Sequence, residues 1–323
     1  MTIQRPIAMR DAFLKRIHQE MYQDENIFFV SADFGSPVLD SIRADFSNRF
    51  VNVGIAEQNL INVSAGLGLE GYKVFAYAIA PFITMRCYEQ IRVNLALLST
   101  VRKMNVNLIG VGAGYSYVVS GPTHQCYEDI SIMRALPTFE VLSPCDSISA
   151  ANLFERCHLL DGPKYIRLDA QILPPVYEHH EWSLPAGFNH LKKGKDICII
   201  ATGYMVHTAL QLAQQLQKND IEIGVIDLFN VTHFSDEAFK YELQSYKHII
   251  SLEEGFVGKG GMDMMILNWL NKNHLSKNLH NFGVKGSYQF ELGNRLELHQ
   301  KIGLGFDEIY QSILRIKQAC FVE

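Results

Sequence analysis

The feature that most constrains this chain is a regular alternation of short apolar runs with amphipathic stretches through its first half. Six runs rich in valine, isoleucine and phenylalanine are separated by segments whose apolar residues have a helix-like spacing. This alternation is typical of parallel strands joined by helices. The sequence therefore predicts an α/β fold with a parallel sheet, whose strands are IFFVSA, FVNVG, KVFAYA, VNLIGVG, FEVLS and KYIRL.

The alternation breaks once and then resumes in the second half of the chain. Residues 173–195 carry three prolines and several charges without periodicity, which indicates an interdomain linker. A length of 323 residues also favours two domains. We place the boundary near Glu181, so that residues 1–180 form the first domain and residues 181–323 form a smaller α/β domain. The pair His179 and His180 lies in this linker and is interpreted as solvated.

Charge and cysteine usage limit the possible partners and location. The chain has 29 Lys and Arg against 34 Asp and Glu, a net charge of −5, so it lacks the basic excess of a nucleic-acid-binding protein. Its six scattered cysteines form no CxxC pair and fit reduced thiols better than disulfides. The uncharged run from Met104 to Tyr127 contains glycines and polar residues that a bilayer would reject. We expect a cytoplasmic protein with a small substrate and with neither a nucleic-acid nor a membrane partner.

The first candidate site residue is Glu57, in the stretch VNVGIAEQN at residues 51–59. The pattern predicts a strand that ends at Gly54 and a helix that begins with Glu57 in its opening turn. The helix dipole favours a carboxylate there. From these residues alone, Glu57 is either an ordinary first-turn acid or a functional carboxylate.

Two further stretches contain candidate site residues. In APFITMRCYEQIR at residues 80–92, an α-helix would place Phe82, Met85 and Tyr88 on one face, which suits either a core or a cofactor surface. In SGPTHQ at residues 120–125, a Gly-Pro turn precedes His124, and imidazole is suited to proton transfer near neutral pH. A structural role is the alternative for each of these side chains. No HExxH or CxxC pattern indicates a metal site, and we assign no metal ligand.

Taken together, these motifs resemble the transketolase family. The second half, including LEEGFVGKGG, is similar to the transketolase C-terminal domain. The resemblance covers essentially the whole chain, and five motifs in the same order are more specific than any one of them. In the first half, the motifs that resemble the pyrimidine-binding domain are SADFG, VGIAEQN, APFITMRCYEQIR, GPTHQ and VLSPCD, followed by the strand GPKYIRLD.

The resemblance implies thiamine diphosphate as cofactor and transfer of a two-carbon ketol unit between sugars or sugar phosphates. Glu57 matches the glutamate that hydrogen-bonds the aminopyrimidine and favours its imino tautomer, so that Glu57 is expected to be catalytic. Phe82 and Tyr88 match aromatic residues that pack on the pyrimidine. Met85 stands where the family usually has another aromatic residue. Asp33 matches an acid near the thiazolium side of the cofactor.

The resemblance also implies a set of substrate residues. Arg10 matches an arginine that binds the substrate phosphate, and His124 matches a histidine that meets the substrate oxygen atoms and shuttles a proton. Gln125 follows His124 as it does in the family. Ser120 occupies the place of the aspartate in the family's DGPTH, which helps to recognise a substrate hydroxyl. Arg167 is expected to reach the substrate from another angle than the family's arginine.

Two more departures make the usual sugar-phosphate specificity doubtful. Gly112 stands where the family has a second substrate histidine, and Ala170 is nearest to the place of its distal phosphate-binding arginine. The GDG motif of the family's pyrophosphate domain does not occur in these residues. We therefore expect the C-terminal subunit of a split transketolase. It would pair with an N-terminal subunit that carries the pyrophosphate domain and holds most of the magnesium, as a heterotetramer that contains a homodimer of this chain.

Three alternatives remain open at this point. The chain could be the beta subunit of a 2-oxoacid dehydrogenase, which shares the order of the two domains. It could act as a carboligase similar to deoxyxylulose phosphate synthase. It could also be a scaffold that kept the fold and lost the reaction, although a buried carboxylate such as Glu57 is costly to retain without a cofactor.

Overall fold

The computed structural model describes residues 7–33, 35–177 and 182–319. Its first domain contains a six-stranded sheet in the order β2-β1-β3-β4-β6-β5, in which every neighbouring pair is parallel. The predicted parallel α/β fold is confirmed. The strands are β1 (Ile27–Ser31), β2 (Phe50–Asn52), β3 (Lys73–Ile79), β4 (Asn105–Val111), β5 (Glu140–Leu142) and β6 (Gly162–Leu168).

Helical segments cover both faces of this sheet, because successive side chains of a strand point to opposite sides. The helices are α1 (Met9–Met21), α2 (Pro37–Asp45), α3 (Glu57–Leu69), α4 (Tyr88–Gln90), α5 (Asp129–Arg134) and α6 (Ser147–Leu159). Phe75 of β3 packs in one cluster with α1, α2 and α6. Its neighbour Ala76 packs in another cluster with α3, α5 and residues 82–100.

The second domain has a five-stranded sheet in the order β11-β10-β8-β9-β7. All neighbouring pairs are parallel except β7 and β9, which run antiparallel. The strands are β7 (Asn189–Lys192), β8 (Asp196–Ala201), β9 (Gly224–Asp227), β10 (Tyr246–Phe256) and β11 (Asn278–Val284). The helices are α7 (Met205–Gln217), α8 (Asp236–Leu243), α9 (Met262–Lys272), α10 (Arg295–Ile302) and α11 (Phe306–Ala319).

The interpretation of residues 173–195 as an irregular linker is wrong for its second part. A 3₁₀ turn covers Leu184–Ala186, and the edge strand β7 follows it. β7 was missed because an edge strand keeps one side exposed and therefore lacks a continuous apolar pattern. The boundary at Glu181 and the pair His179 and His180 lie outside the described residues.

A buried ionic network joins the two domains. Arg295 of α10 pairs with Asp169, just after β6, at 2.6 Å and with Glu254 of β10 at 2.5 Å. His299 of α10 also reaches Glu254, at 2.6 Å. All four side chains are buried. Because each charge has an opposite partner, the network compensates for the loss of water around it.

Five of the six cysteines fall within the described residues, and all five are free and buried. Cys145 lies beside Asp227, and burial raises the pKa of its thiol well above the usual value. These thiols contribute packing rather than cross-links. Separately, the helices of the described ranges include none that is both long enough and apolar enough to span a membrane.

Candidate active site

Most of the candidate site residues come from segments that follow a strand at the carboxyl edge of the first sheet, whereas Arg10 lies in α1 and Arg167 within β6. In open α/β sheets this edge is where ligands commonly bind. Asp33 follows β1, Glu57 follows β2 and Phe82 follows β3. His124 belongs to the long loop after β4. The fold therefore collects at one edge residues that are far apart in the sequence.

Glu57 begins α3 directly after a tight turn. Gly54 has φ of +73°, a conformation that favours glycine, and its carbonyl accepts a hydrogen bond from the Ala56 amide. The Glu57 side chain is only 4% exposed. Nη1 of Arg86 donates to both of its carboxylate oxygens, at 3.0 and 2.9 Å. Glu57 is thus a buried carboxylate whose partner reaches it from another segment.

The segment from Phe82 to Thr100 is not a regular α-helix. Phe82–Arg86 and Ile91–Leu97 are π-helical turns, and only Tyr88–Gln90 between them is α-helical. A π-turn has i→i+5 hydrogen bonds, so side chains rotate away from the positions that an α-helix would give them.

The expectation that Phe82, Met85 and Tyr88 share one face is therefore wrong. The buried positions in this region are Ile83, Thr84 and Cys87. Met85 is 40% exposed, whereas Phe82 and Tyr88 are half-buried. The Tyr88 hydroxyl donates to the carbonyl of Ile132, in α5, at 2.8 Å.

Phe82 connects Glu57 with His124 through ring contacts. The Arg86 guanidinium lies 4.2 Å from the centroid of the Phe82 ring, as in a cation–π contact. The His124 ring meets Phe82 edge-on, with centroids 5.2 Å apart. Nδ1 of His124 lies 2.9 Å from the Thr123 hydroxyl. Glu57, Arg86, Phe82 and His124 thus form a continuous series of contacts.

Arg86 was not among the residues that the sequence singled out. It lies four positions after Phe82, a spacing at which side chains of a helix can meet. Its ion pair with Glu57, however, joins residues 29 positions apart and requires the folded sheet.

Three other predicted residues lie at the same edge with exposed or half-buried side chains. Ser120 is exposed and precedes Gly121, whose φ is +71°. Asp33 is exposed, and its amide donates to the Gly54 carbonyl at 3.2 Å, close to the turn that precedes Glu57. Arg10 is half-buried and pairs with Asp11 at 2.8 Å. Burial opposes the charge on Arg10, but the hydrogen bond to Asp11 raises its pKa above the usual value.

The geometry does not support the substrate contacts expected for Arg167 and Gln125. Arg167 is buried, and its Nε donates to Asp129 at 2.8 Å. Its Nη2 donates to the carbonyl of Glu254 in the second domain at 3.0 Å. Gln125 is also buried and accepts from the Tyr127 hydroxyl at 2.8 Å. Arg167 therefore joins the two domains, whereas Gln125 makes a contact within the loop after β4.

The conformation of the loop after β4 explains why residue 112 is a glycine. A Cβ at this position would lie 2.1 Å from Cε2 of Tyr117, because the Tyr117 ring occupies that space. Gly112 also has φ of +100°. A histidine at position 112 is therefore incompatible with the present position of Tyr117.

Several large apolar side chains on the segments that carry Glu57 and Arg86 are exposed. Soluble proteins rarely expose large apolar areas without a binding role. These residues are Ile55, Met85, Val93, Leu97 and Val101, with exposed fractions of 78%, 40%, 39%, 53% and 74%.

A cleft of about 600 Å³ lies elsewhere, between the two domains, and is lined by residues such as Arg134, His233 and Trp269. It contains none of the predicted site residues. Among residues 7–33, 35–177 and 182–319, no group of three or more His, Cys, Asp or Glu side chains is arranged to hold a metal ion.

Comparisons with known proteins identify relatives that share both domains. A protein from Phocaeicola vulgatus, described as one subunit of an apulose-4-phosphate transketolase, is 32% identical over 269 residues, which cover 83% of this chain and 85% of that protein. A 6-deoxy-6-sulfo-D-fructose transketolase subunit from a Clostridium species is 29% identical, and the match covers 94% of this chain and 92% of that protein. A solved structure described as a split gene transketolase, inactive beta4 tetramer, superposes with a TM-score of 0.83. It is 28% identical to this chain, and the match covers 96% of this chain and 98% of that one.

Family models account for most of the chain. The transketolase pyrimidine-binding domain matches residues 5–175, and the transketolase C-terminal domain matches residues 187–309. The chain therefore belongs to the transketolase family. It contains both the pyrimidine-binding domain and the C-terminal domain, and it corresponds to the subunit of split transketolases that it matches.

Proposed function

We propose that this chain is one subunit of a thiamine-diphosphate-dependent transketolase that moves a two-carbon ketol unit between sugars or sugar phosphates. The observation that carries the proposal is the position of Glu57. It is a buried carboxylate at the ligand-binding edge of the sheet, and within the described residues its oxygens accept hydrogen bonds from the half-exposed Arg86 alone. A carboxylate held in this way is available to a ligand that brings its own N–H donor.

The residues around Glu57 fit an aminopyrimidine ring. Phe82 offers an aromatic face, and Met85, three positions later in the chain, offers an exposed, adaptable thioether. When bound, the cofactor would act as the electron sink that allows a bond next to a ketone to break. Glu57 would hold and return a proton at the ring nitrogen, while Asp33 lies close to the same turn and would face the thiazolium side.

His124 is the residue of this chain that we assign to the substrate oxygen atoms. Its ring is half-buried, and it contacts Phe82 on one side, so it lies next to the proposed cofactor position. An imidazole there can accept and donate a proton as the substrate hydroxyl becomes a carbonyl. Ser120 and Arg10 would contact more distant parts of the sugar. Because Arg10 already pairs with Asp11, a charged phosphate would have to compete for it.

We further propose that the chain acts with a separate polypeptide that supplies the pyrophosphate domain and most of the magnesium ligands. Relatives that match this chain over nearly their whole length are separate subunits, which supports this arrangement. The complex would be a heterotetramer built around a homodimer of this chain, and its buried free thiols fit a reducing cytoplasm. The chain purified alone should show little ketol transfer.

The first prediction concerns Glu57 in the reconstituted complex. The chain would be co-expressed with a partner that contains the GDG motif, and ketol transfer would be measured with thiamine diphosphate and magnesium. Replacing Glu57→Gln should lower kcat at least about 100-fold, since it removes the proton-holding group but keeps the shape. Glu89→Gln, an exposed side chain on the neighbouring segment, is the matched control and should retain full turnover.

Assembly of the variant complex, measured by its mass in solution, should not change. Unchanged turnover in Glu57→Gln would remove this residue from the mechanism. The same complex would be offered pyruvate, with carbon dioxide release as the readout, and a 2-oxoacid with a lipoyl acceptor. Turnover of either one in place of a ketose would favour the carboligase or the dehydrogenase and contradict the proposal.

A further inference from the structure

We propose that Arg86 is a place-holder for the cofactor at Glu57: before the cofactor binds, its guanidinium occupies the position that the aminopyrimidine ring must take. The inference rests on the proposed function, because it takes Glu57 as the carboxylate that receives the cofactor ring. It adds a residue that regulates access to this carboxylate.

The contacts of Arg86 are those that a flat nitrogen heterocycle would make. Its Nη1 donates to both oxygens of Glu57, at 3.0 and 2.9 Å. Its planar guanidinium lies over the Phe82 ring at 4.2 Å. Guanidinium groups stack on aromatic faces and present N–H donors in a fixed plane. An aminopyrimidine would use the same aromatic face and the same carboxylate, so the two groups compete for one position.

Arg86 is also placed to leave when a competitor arrives. Its side chain is 45% exposed, whereas Glu57 is 4% exposed. Within the described residues, Arg86 has no other carboxylate partner. A buried carboxylate without a partner is costly, so Arg86 stabilises Glu57 until a ligand replaces it. Because the cofactor binds only the fraction of molecules in which Arg86 has moved away, the measured affinity is lower than that of the open site.

The neighbouring Arg92 provides a matched comparison. It lies on the same helical segment and is 48% exposed, but its guanidinium pairs with Glu89 at 2.9 Å through two hydrogen bonds. Both of these bonds go to Glu89, and Glu57 is not a partner of Arg92. Removing Arg92 therefore takes away the same charge from the same segment without freeing the carboxylate.

The test is equilibrium binding of thiamine diphosphate, with magnesium, to the complex of this chain with its partner subunit, measured by titration calorimetry. Arg86→Met should lower the Kd about fivefold to twentyfold, because it removes the competitor. Arg92→Met should leave the Kd within about twofold. An unchanged or weaker affinity in Arg86→Met would show that Arg86 does not occupy the ring position.

A double-mutant cycle separates competition from a general effect of charge. In the Glu57→Gln background, Arg86 has lost its anionic partner, so adding Arg86→Met should change the Kd by less than about twofold. An equal gain of affinity in both backgrounds would contradict the proposal. Arg86→Gln, which keeps the polar character, repeats the test if the methionine variant fails to assemble.

The outcomes also separate this inference from the proposed function. If the unaltered complex binds no thiamine diphosphate, the proposed function fails. If it binds the cofactor and transfers ketol units, but the Arg86 variants do not tighten binding, the place-holder alone is refuted.

Discussion

Glu57 depends on a partner from another segment, because within the described residues Arg86 alone donates to its carboxylate oxygens. The position of Glu57 in the first turn of a helix follows from the local pattern, and the structure places the start of α3 there. Its partner could not be predicted, because the pair depends on the packing of two segments that follow different strands. The same is true of Arg167, whose burial against Asp129 and Glu254 gives it a role in joining domains.

Glu253 leads to a prediction at the residue scale about pH and stability. This carboxyl is buried under the first turn of α9 and accepts a hydrogen bond from the Asp263 amide at 2.9 Å. Burial raises its pKa to about 7, from an ordinary value of 4.5. The folded state therefore binds a proton that the unfolded state releases between these two values. It follows that stability is lost as pH rises from about 4.5 to above 7.

The expected loss for this group is up to about 3 kcal/mol across that window. Glu253→Gln cannot titrate, so its free energy of unfolding should fall less between pH 5.5 and pH 8 than that of the unaltered chain. Urea unfolding at the two pH values measures this difference. Glu237→Gln, at an exposed position of α8, is the control. If the free energy of unfolding falls equally between the two pH values in the unaltered chain, Glu253→Gln and Glu237→Gln, Glu253 does not titrate in this range.

At the scale of elements, the strands followed from the sequence more closely than the helices. Five of the six strands of the first sheet include at least one fully buried apolar position, and their runs of valine and isoleucine allowed them to be predicted. The π-helical turns between Phe82 and Leu97 could not be predicted from the sequence, because their residues also fit an α-helix. Thr84 donates to the Ala80 carbonyl at 2.7 Å, a local bond that competes with regular helix geometry.

Asp146 gives a prediction about the start of α6. Its Oδ1 accepts from the Ser149 amide at 2.7 Å, in a capping box. Its Oδ2 accepts from the amides of Val176 and Tyr177, at 2.7 and 3.0 Å, so the same side chain fixes the segment that leaves the first domain. Asp146→Ala should lower the free energy of unfolding by about 2–4 kcal/mol, since it removes a cap and leaves buried N–H groups unpaired.

Urea unfolding would measure this loss, with Asp40→Ala as the control. Asp40 lies in the first turn of α2 but is exposed, and its replacement should change stability by no more than about 0.5 kcal/mol. A loss of the same small size in Asp146→Ala would mean that the cap and the linker contacts are dispensable.

At the scale of the whole molecule, the two domains are joined by buried ion pairs that no sequence pattern predicts. Arg295, Asp169 and Glu254 are separated by long stretches of chain, and each alone is typical of a surface residue. Their burial is unusual for such side chains and depends on mutual pairing. Prediction of the two α/β units was possible because each has its own apolar pattern, whereas the contacts between them arise only after folding.

Replacing Arg295→Met should lower the free energy of unfolding by about 3–5 kcal/mol, because it leaves two buried carboxylates facing each other. The double variant Arg295→Met with Glu254→Gln should recover part of this loss. Tryptophan fluorescence during urea unfolding would report on the second domain, which contains Trp269. It would also report on the border with the first domain, where Trp182 contacts Phe229. A double variant less stable than Arg295→Met would contradict an electrostatic origin.

The exposed apolar side chains on the segments that carry Glu57 and Arg86 have a consequence for how such a polypeptide must be produced. Ile55, Leu97 and Val101 remain in contact with water for as long as the chain has nothing to cover them. A cell that makes this polypeptide in excess over the proposed partner subunit would accumulate molecules prone to aggregate. We therefore expect this chain and the proposed partner subunit to be synthesised in matched amounts, so that the partner covers the exposed apolar side chains soon after this chain folds.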